Sequence, residues 1–371
     1  MAKHERARTI LLAAGGTGGH LFPAFALAEE LSHRGYAVDL ATDTRGDRYG
    51  TDFPARKVHP ISSATFAGKS PVALAQTGWT LAKGLRQANA LLGEVGPGAV
   101  LGFGGYPSFP PLMAAVLRGI PTAIHEQNAV LGRANRTLAG RVTAIATSFD
   151  TVKYTEGIDA SKVVLTGNPV RSAVRTASTI PYPVIWADGD VRIVVFGGSQ
   201  GARLFSDLMP DVLAAMPPDI LPRLHITQQC REEDLDRVQA AYAQLGISME
   251  CATFFRDLPE RIAGSHLVIG RSGASTVAEL AAIGRPSILV PLPHSVDNDQ
   301  LLNATRLVEA GAAWCIEQSE LSPARLAEDL TVLIDAPDQL TGAAKAAQAL
   351  GRPDADQRLA DLVEHLASRS A

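Results

Sequence analysis

The chain has 371 residues, of which 46% are hydrophobic and 19% charged, and a formal net charge of −4. That length exceeds one ordinary core and implies two domains, while the slightly acidic balance excludes the basic footprint of a nucleic-acid binder. Three cysteines, Cys230, Cys251 and Cys315, lack metal or redox spacing and read as reduced thiols of a cytosolic protein.

The basic N-terminus runs into an apolar stretch at 10–14 that glycines cut short, too brief for a secretory signal. Residues 9–14 read as a buried parallel strand, followed by the turn Gly15-Gly-Thr-Gly-Gly-His20. Pro23 suits the first turn of a helix that 24–31 continue and Arg34-Gly35 ends. Further strands are predicted at 37–41, 99–102, 122–125 and 141–146. An amphipathic helix at 72–92 carries Leu74, Leu81, Leu85, Ala88 and Leu92 toward the core. Val72, Trp79, Lys83 and Arg86 fall on another face, with Lys69 just before, a pattern that suits an anionic membrane surface. An ordinary amphipathic helix with one exposed Trp fits equally well. The charge-free stretch 95–117 holds Pro107, Pro110 and Pro111, so no spanning helix is expected and membrane contact would be peripheral.

A second unit opens at 191–196 and repeats the plan: apolar strand, glycine turn Gly197-Gly-Ser-Gln-Gly201, helix at 204–215. Strands follow at 224–227, 267–270 and 287–290. The class is α/β, with two Rossmann-like doubly wound domains in tandem, 1–175 and 191–351. Residues 176–190, rich in Pro, Ser, Thr and acidic residues, read as the linker. Leu359, Leu362, Val363 and Leu366 mark a terminal helix within 352–371, expected to pack back on the first domain.

Ligands in such sheets bind outside the carboxyl ends of the strands, so the polar residues there are the site candidates. The opening turn matches a dinucleotide fingerprint at Gly16 and Gly18 but has Leu21 in the third place, with Asp39 or Asp43 as a ribose acid. His20 at the helix mouth is either a packing histidine or a general base. The second turn lacks the Lys-Ser/Thr of a P-loop; its amides and the Ser199 hydroxyl suit a diphosphate leaving group. Glu279 follows the turn Arg271-Ser-Gly-Ala-Ser-Thr276. It is either a helix-start glutamate or a carboxylate placed for ribose hydroxyls. Gln300 could reach a bound sugar or belong to an ordinary polar first turn. Gly104-Gly-Tyr106, His125-Glu-Gln-Asn128 and Gly167-Asn-Pro-Val-Arg171 complete the set, Arg171 being a phosphate contact or a bridge between domains.

These segments, in this order from about residue 9 to 304 and beyond, resemble the MurG family, the family 28 glycosyltransferases that add N-acetylglucosamine to lipid I in peptidoglycan synthesis. The resemblance implies a GT-B fold, two Rossmann-like domains facing a cleft. It implies an acceptor site in the first and a UDP-N-acetylglucosamine site mainly in the second. Carried over by motif, Thr17, Gly18 and Gly19 lie at the sugar and diphosphate, with Asn128 and Arg171 nearby. Ser199 matches the diphosphate serine, Glu279 the ribose glutamate, and Gln300 a sugar contact. Arg271 and Ala274, Ser275 and Thr276 line the nucleotide turn, Phe255 falls at the uracil edge, and Tyr106, His125 and Asn128 belong to the acceptor. Asp299 stands where some relatives have a second glutamine, and Tyr106-Pro-Ser-Phe-Pro110 departs from the family's Tyr-Val-Ser-Gly-Pro.

The implied reaction inverts the sugar, with the acceptor's 4-hydroxyl attacking the anomeric carbon and UDP leaving. His20 would take the proton, with Glu126 or His125 as competing bases. Fixed backbone donors suffice for the leaving diphosphate, so neither a metal nor a cofactor is expected; of the Asp-x-Asp pairs only Asp297/Asp299 lies in a site loop. The implied surroundings are the cytoplasmic membrane face, lipid I, and cell-wall synthesis and division proteins. The other readings are a different GT-B enzyme such as an epimerase, a nicotinamide-dependent oxidoreductase, or a non-catalytic UDP-sugar binder.

Overall fold

The computed structural model describes residues 8–15, 18–43, 53–63, 70–186 and 188–369; the side chains of 71–75 and 199–202 also lie outside the description. Thr17, Lys69, and the side chains of Val72, Leu74 and Ser199 are therefore outside the described residues. The chain divides into two compact units, Met1–Arg171 with Asp354–Ala371, and Ser172–Pro353.

The first unit is built on a parallel sheet of β1 (Thr9–Ala13), β2 (Ala37–Thr42), β3 (Lys57–Pro60), β4 (Ala99–Gly102), β5 (Thr122–Glu126), β6 (Ala144–Thr147) and β7 (Val163–Leu165). Their order is β3-β2-β1-β4-β5-β6-β7. Central strands are buried on both faces, which is why they read as unbroken apolar runs. Alternation then divides them. Ile10 and Leu12 join Val38, Leu40 and Leu101 on one side, under helix Gly18–His33. Leu11 and Ala13 join Val100, Ile124 and Ile145 on the other, under the helices that carry Leu91, Leu92, Leu112 and Leu138.

The terminal helix Ala355–Ser368 completes the first of these layers with Leu359, Val363 and Leu366. Its outer turns are tied to the end of helix Gly18–His33, where Arg34 contacts Asp361 at 2.6 Å and Glu364 at 2.9 Å. That helix begins at Gly18, five residues ahead of Pro23, so the proline sits inside it rather than in its first turn. Gly18 and Gly19 thus form the helix mouth, with unpaired first-turn amides.

The second unit repeats the design with β8 (Val191–Phe196), β9 (Leu224–Gln229), β10 (Ser248–Ala252), β11 (Leu267–Gly270), β12 (Ser287–Leu289) and β13 (Ala313–Cys315), ordered β10-β9-β8-β11-β12-β13. Ile193, Val195 and Ile269 pack against Phe205, Met209 and Leu213 of helix Gly198–Ala215 and Leu326 and Leu330 of helix Pro323–Ile334. The stretch 176–190 is held to this unit. Buried Arg285 donates to the carbonyls of Ile180 and Pro181 at 3.0 Å each, and the Tyr182 hydroxyl donates to the His266 carbonyl at 2.9 Å. Cys230 and Cys251, distant in sequence, are brought together beside the β9–β10 pairing, where Cys230 N–H donates to the Ala252 carbonyl at 3.0 Å.

The sequence pattern predicts none of four strands, β3, β7, β10 and β13: β7 and β13 are apolar but only three residues long, and β3 and β10 are mixed in composition. All four are sheet edges. An edge strand has one neighbour and partly exposed faces, so its composition is not forced to be apolar.

Leu359→Ala should lower the unfolding free energy by about 2–5 kcal/mol, the usual cost of a large buried side chain, and calorimetry should show the loss in the first unit's transition. A smaller effect would mean that the terminal helix is loosely held. Two buried histidines set a pH dependence: His125 and His266 are each pushed down to about 4, mainly by burial. In the unfolded chain each takes up a proton near the ordinary value of about 6.5. Their stabilisation is therefore full above that pH and is lost as pH falls toward 4, on the order of 3 kcal/mol per histidine. The melting temperature should fall steadily from pH 7.5 to 5; a flat profile would show that these imidazoles are solvated.

Candidate active site

Strand order reverses beside β1 and again beside β8: β1 lies between β2 and β4, and β8 between β9 and β11. Connections leaving the carboxyl ends of such neighbours diverge to opposite faces and open a crevice. In the first unit the crevice is lined by glycine. A Cβ added at Gly15, Gly104 or Gly105 would stand 3.3 Å from ring carbons of His20. Gly104 and Gly105 have φ of 88° and 72°, which side chains rarely adopt. The imidazole of His20 therefore lies flat against backbone in a slot that larger residues would close.

Behind the ring runs a buried polar chain. His20 Nδ1 is 3.0 Å from Gln127 Oε1, and Gln127 Nε2 is 2.9 Å from both His125 Nδ1 and the His125 carbonyl. His125 Nε2 in turn lies 2.9 Å from the Gly167 carbonyl. His125 is fully buried, and Gln127 and Gly167 engage both of its ring nitrogens, so neither nitrogen is open to take a proton from an acceptor.

Glu126 points the other way. One oxygen accepts from the Asn128 amide at 3.1 Å and the Asn128 side chain at 3.3 Å; the other accepts from Gly132 N–H and Asn135 Nδ2, both at 2.8 Å. Burial pushes its carboxyl up, and these donors oppose the shift. Four donors on a buried carboxylate make a loop brace and occupy both oxygens. Asn128 is the residue so aimed, half-exposed at the crevice. Tyr106 opens the short turn Tyr106–Ser108 after Gly105, and the Arg171 guanidinium stacks 5.5 Å over the Phe22 ring. Gly19 has open space where a side chain would stand, and Gly18 is covered by Phe22.

In the second unit, helix Gly198–Ala215 starts directly after β8 with Gly198 at φ 65°. Helix Ala274–Ile283 starts after β11, so Ala274, Ser275 and Thr276 present a first turn at the carboxyl edge. Glu279 is the sixth residue of this helix and 8% exposed. The helix dipole acts chiefly within the first turn, so Glu279 is not a helix-start glutamate.

Gln300, second residue of helix Asp299–Glu309, accepts from Leu292 N–H at 2.9 Å, which leaves its amide nitrogen as the donating end. The preceding Asp297 and Asn298 are both left-handed, φ 56°. Arg271, expected to line the nucleotide turn, is buried and turned toward backbone. Its guanidinium donates to the Val290 and Pro291 carbonyls and to Gln318 Oε1 at 2.8 Å, and burial lowers its pKa. Arg271 shapes the Pro291 loop from behind. Phe255 is buried beneath the Arg261 guanidinium, 4.5 Å from the ring centroid.

Four residues of this architecture had escaped notice as individuals: Gln127, Asn135, Gln318 and Asn303, whose Nδ2 donates to the Ser272 carbonyl.

The glycosyltransferase family 28 N-terminal domain matches residues 10–147, and the glycosyltransferase family 28 C-terminal domain matches residues 192–359. A Chelativorans sp. (strain BNC1) protein named UDP-N-acetylglucosamine–N-acetylmuramyl-(pentapeptide) pyrophosphoryl-undecaprenol N-acetylglucosamine transferase is 54% identical over 97% of this chain and 96% of its own length. A protein of the same name from Mesorhizobium japonicum is 52% identical, with the same coverage of both chains. The crystal structure of Acinetobacter baumannii MurG superposes with a TM-score of 0.81 at 31% identity, covering 96% of this chain and 99% of that one. With its two Rossmann-like units of GT-B type and near-complete coverage by these matches, the chain belongs to glycosyltransferase family 28.

Proposed function

We propose that this chain transfers N-acetylglucosamine from UDP-N-acetylglucosamine to the 4-hydroxyl of the muramyl sugar of lipid I, with inversion at the anomeric carbon. The observation that carries the reading is the near-full-length identity to transferases of that name, combined with an imidazole held in a glycine slot at a strand-order reversal.

In this reading the first unit binds the acceptor and supplies the base. His20 accepts the proton of the attacking hydroxyl through Nε2, while Asn128 and Tyr106 contact the acceptor sugar. Gly18 and Gly19 offer helix-mouth amides to developing negative charge, as Arg171 does with its guanidinium. The second unit holds the nucleotide: Glu279 accepts from the ribose hydroxyls, and Gln300 donates to the sugar. Ser199 and the amides at 274–276 meet the diphosphate, and Phe255 bounds the uracil. Each fixed donor that meets charge only in the transition state contributes about 3 kcal/mol. Arg271 and Glu126 act by bracing loops rather than by touching substrate.

Among the described residues no helix is long and apolar enough to cross a membrane. The lipid-borne acceptor then calls for peripheral docking on the cytoplasmic face. Helix Pro71–Val95 buries Ala88, Leu91 and Leu92, and presents Trp79, 77% exposed, with Lys83 and Arg86 also exposed. An amphipathic aromatic group among cations suits an anionic bilayer.

Radiolabelled UDP-N-acetylglucosamine with a lipid I analogue tests the chemistry. Glu279→Ala should raise the donor KM roughly 10- to 100-fold with a smaller change in kcat, as expected for a lost charge-assisted contact. His20→Ala should lower kcat by about 10²- to 10⁴-fold. Wild-type kinetics in both variants would refute the assignment of residues, and absence of any product would refute the reaction. Co-sedimentation with anionic vesicles tests docking: Trp79→Ala with Lys83→Glu should leave most of the protein in the supernatant, and unchanged sedimentation would place the contact elsewhere.

A further inference from the structure

Two backbone carbonyls determine the polarity of the chain behind His20. The Gly167 carbonyl can only accept, so His125 Nε2, 2.9 Å away, carries a proton. Burial keeps His125 neutral, so its Nδ1 bears a lone pair and accepts from Gln127. The Gln127 amide cannot be turned over, because its Nε2 also lies 2.9 Å from the His125 carbonyl, where an oxygen would be repelled. Gln127 Oε1 is then the atom facing His20, and it accepts from Nδ1 at 3.0 Å.

From this sequence of donors we infer that Gln127 is a positioning residue that holds His20 in its Nδ1–H tautomer. The inference rests on the reading of His20 as the base. With the proton on Nδ1, the lone pair is on Nε2, the nitrogen that receives a hydroxyl proton. When Nε2 is protonated, Nδ1–H still donates to the same oxygen, so the hydrogen bond serves both states without rearrangement. Gln127 is itself 1% exposed, and the imidazole it grips is confined by the Gly15, Gly104 and Gly105 backbone. Neither group can swing to another partner without opening that slot. A glutamine does here what a carboxylate would do with more charge. It selects the tautomer while leaving the buried chain neutral.

The test is nitrogen NMR of the full-length chain labelled in histidine, with His20 assigned by its absence from the His20→Ala spectrum. At pH 8 the His20 Nδ1 should show a pyrrole-type shift and Nε2 a pyridine-type shift; the reverse pattern would overturn the inference. Gln127→Met keeps the side-chain length and removes all three of these hydrogen bonds. It should lose the single tautomer and lower kcat by about 10- to 100-fold, with the donor KM within about twofold of wild type. An unchanged tautomer with unchanged kcat would overturn the inference. The wild-type spectrum carries the test even if the methionine variant does not fold. Undiminished turnover in His20→Ala would instead refute the base reading, an outcome separate from the tautomer seen by NMR.

Discussion

Parallel strands all end at one edge, and in each sheet the strand order reverses beside the first strand of its unit. Everything functional in this chain depends on that constraint. Helices that follow the central strands start at this edge, so their unpaired amides point outward there. The connections on either side of β1 depart to opposite faces and cannot fill the space between them. His20 follows β1, Gly104 and Gly105 follow β4, and the 125–128 segment closes β5. Side chains far apart in the chain are neighbours because strand ends are neighbours.

The space so created is small, which explains the glycines. The His20 ring packs on backbone at three points, each too close for an added Cβ to be accommodated without a shift of a few tenths of an ångström. Positive φ at Gly104 and Gly105 lets the chain leave β4 and turn past the ring. The geometry is thus paid for in backbone freedom, and the buried polar residues restore rigidity. Glu126, Arg271 and Arg285 each carry several hydrogen bonds to backbone or amide groups. A buried charge without partners is very costly, so residues of this kind are found where loops must be held rather than where they must move.

The sequence reading found the apolar strands and the glycine turns but treated His125, Glu126, Gln127 and Asn128 as members of one polar cluster. Alternation along β5 separates them. His125 and Glu126 point to opposite faces, one into a network that reaches Gly167 and the other into the loop at 128–135. The role of Gln127 lies in which atom meets which, since two of its three partners belong to a residue two positions away. Arg271 belongs to the motif that the resemblance places at the nucleotide turn, yet its guanidinium turns to backbone. Its carbonyl partners come from the end of the neighbouring strand, and that pairing is not visible in linear order.

What the sequence determined by itself was the repeating strand, turn and helix plan, the doubly wound class, and the segments that would gather at strand ends. Apolar burial and glycine stereochemistry are local properties, so they leave a local signature. The tertiary structure alone decided the edge strands, whose composition burial does not constrain, and the division of polar residues between bracing and facing the crevice. It also decided the direction of each hydrogen bond behind His20. Donor and acceptor roles follow from the carbonyl that a distant turn happens to present, and only the folded chain brings that carbonyl within reach.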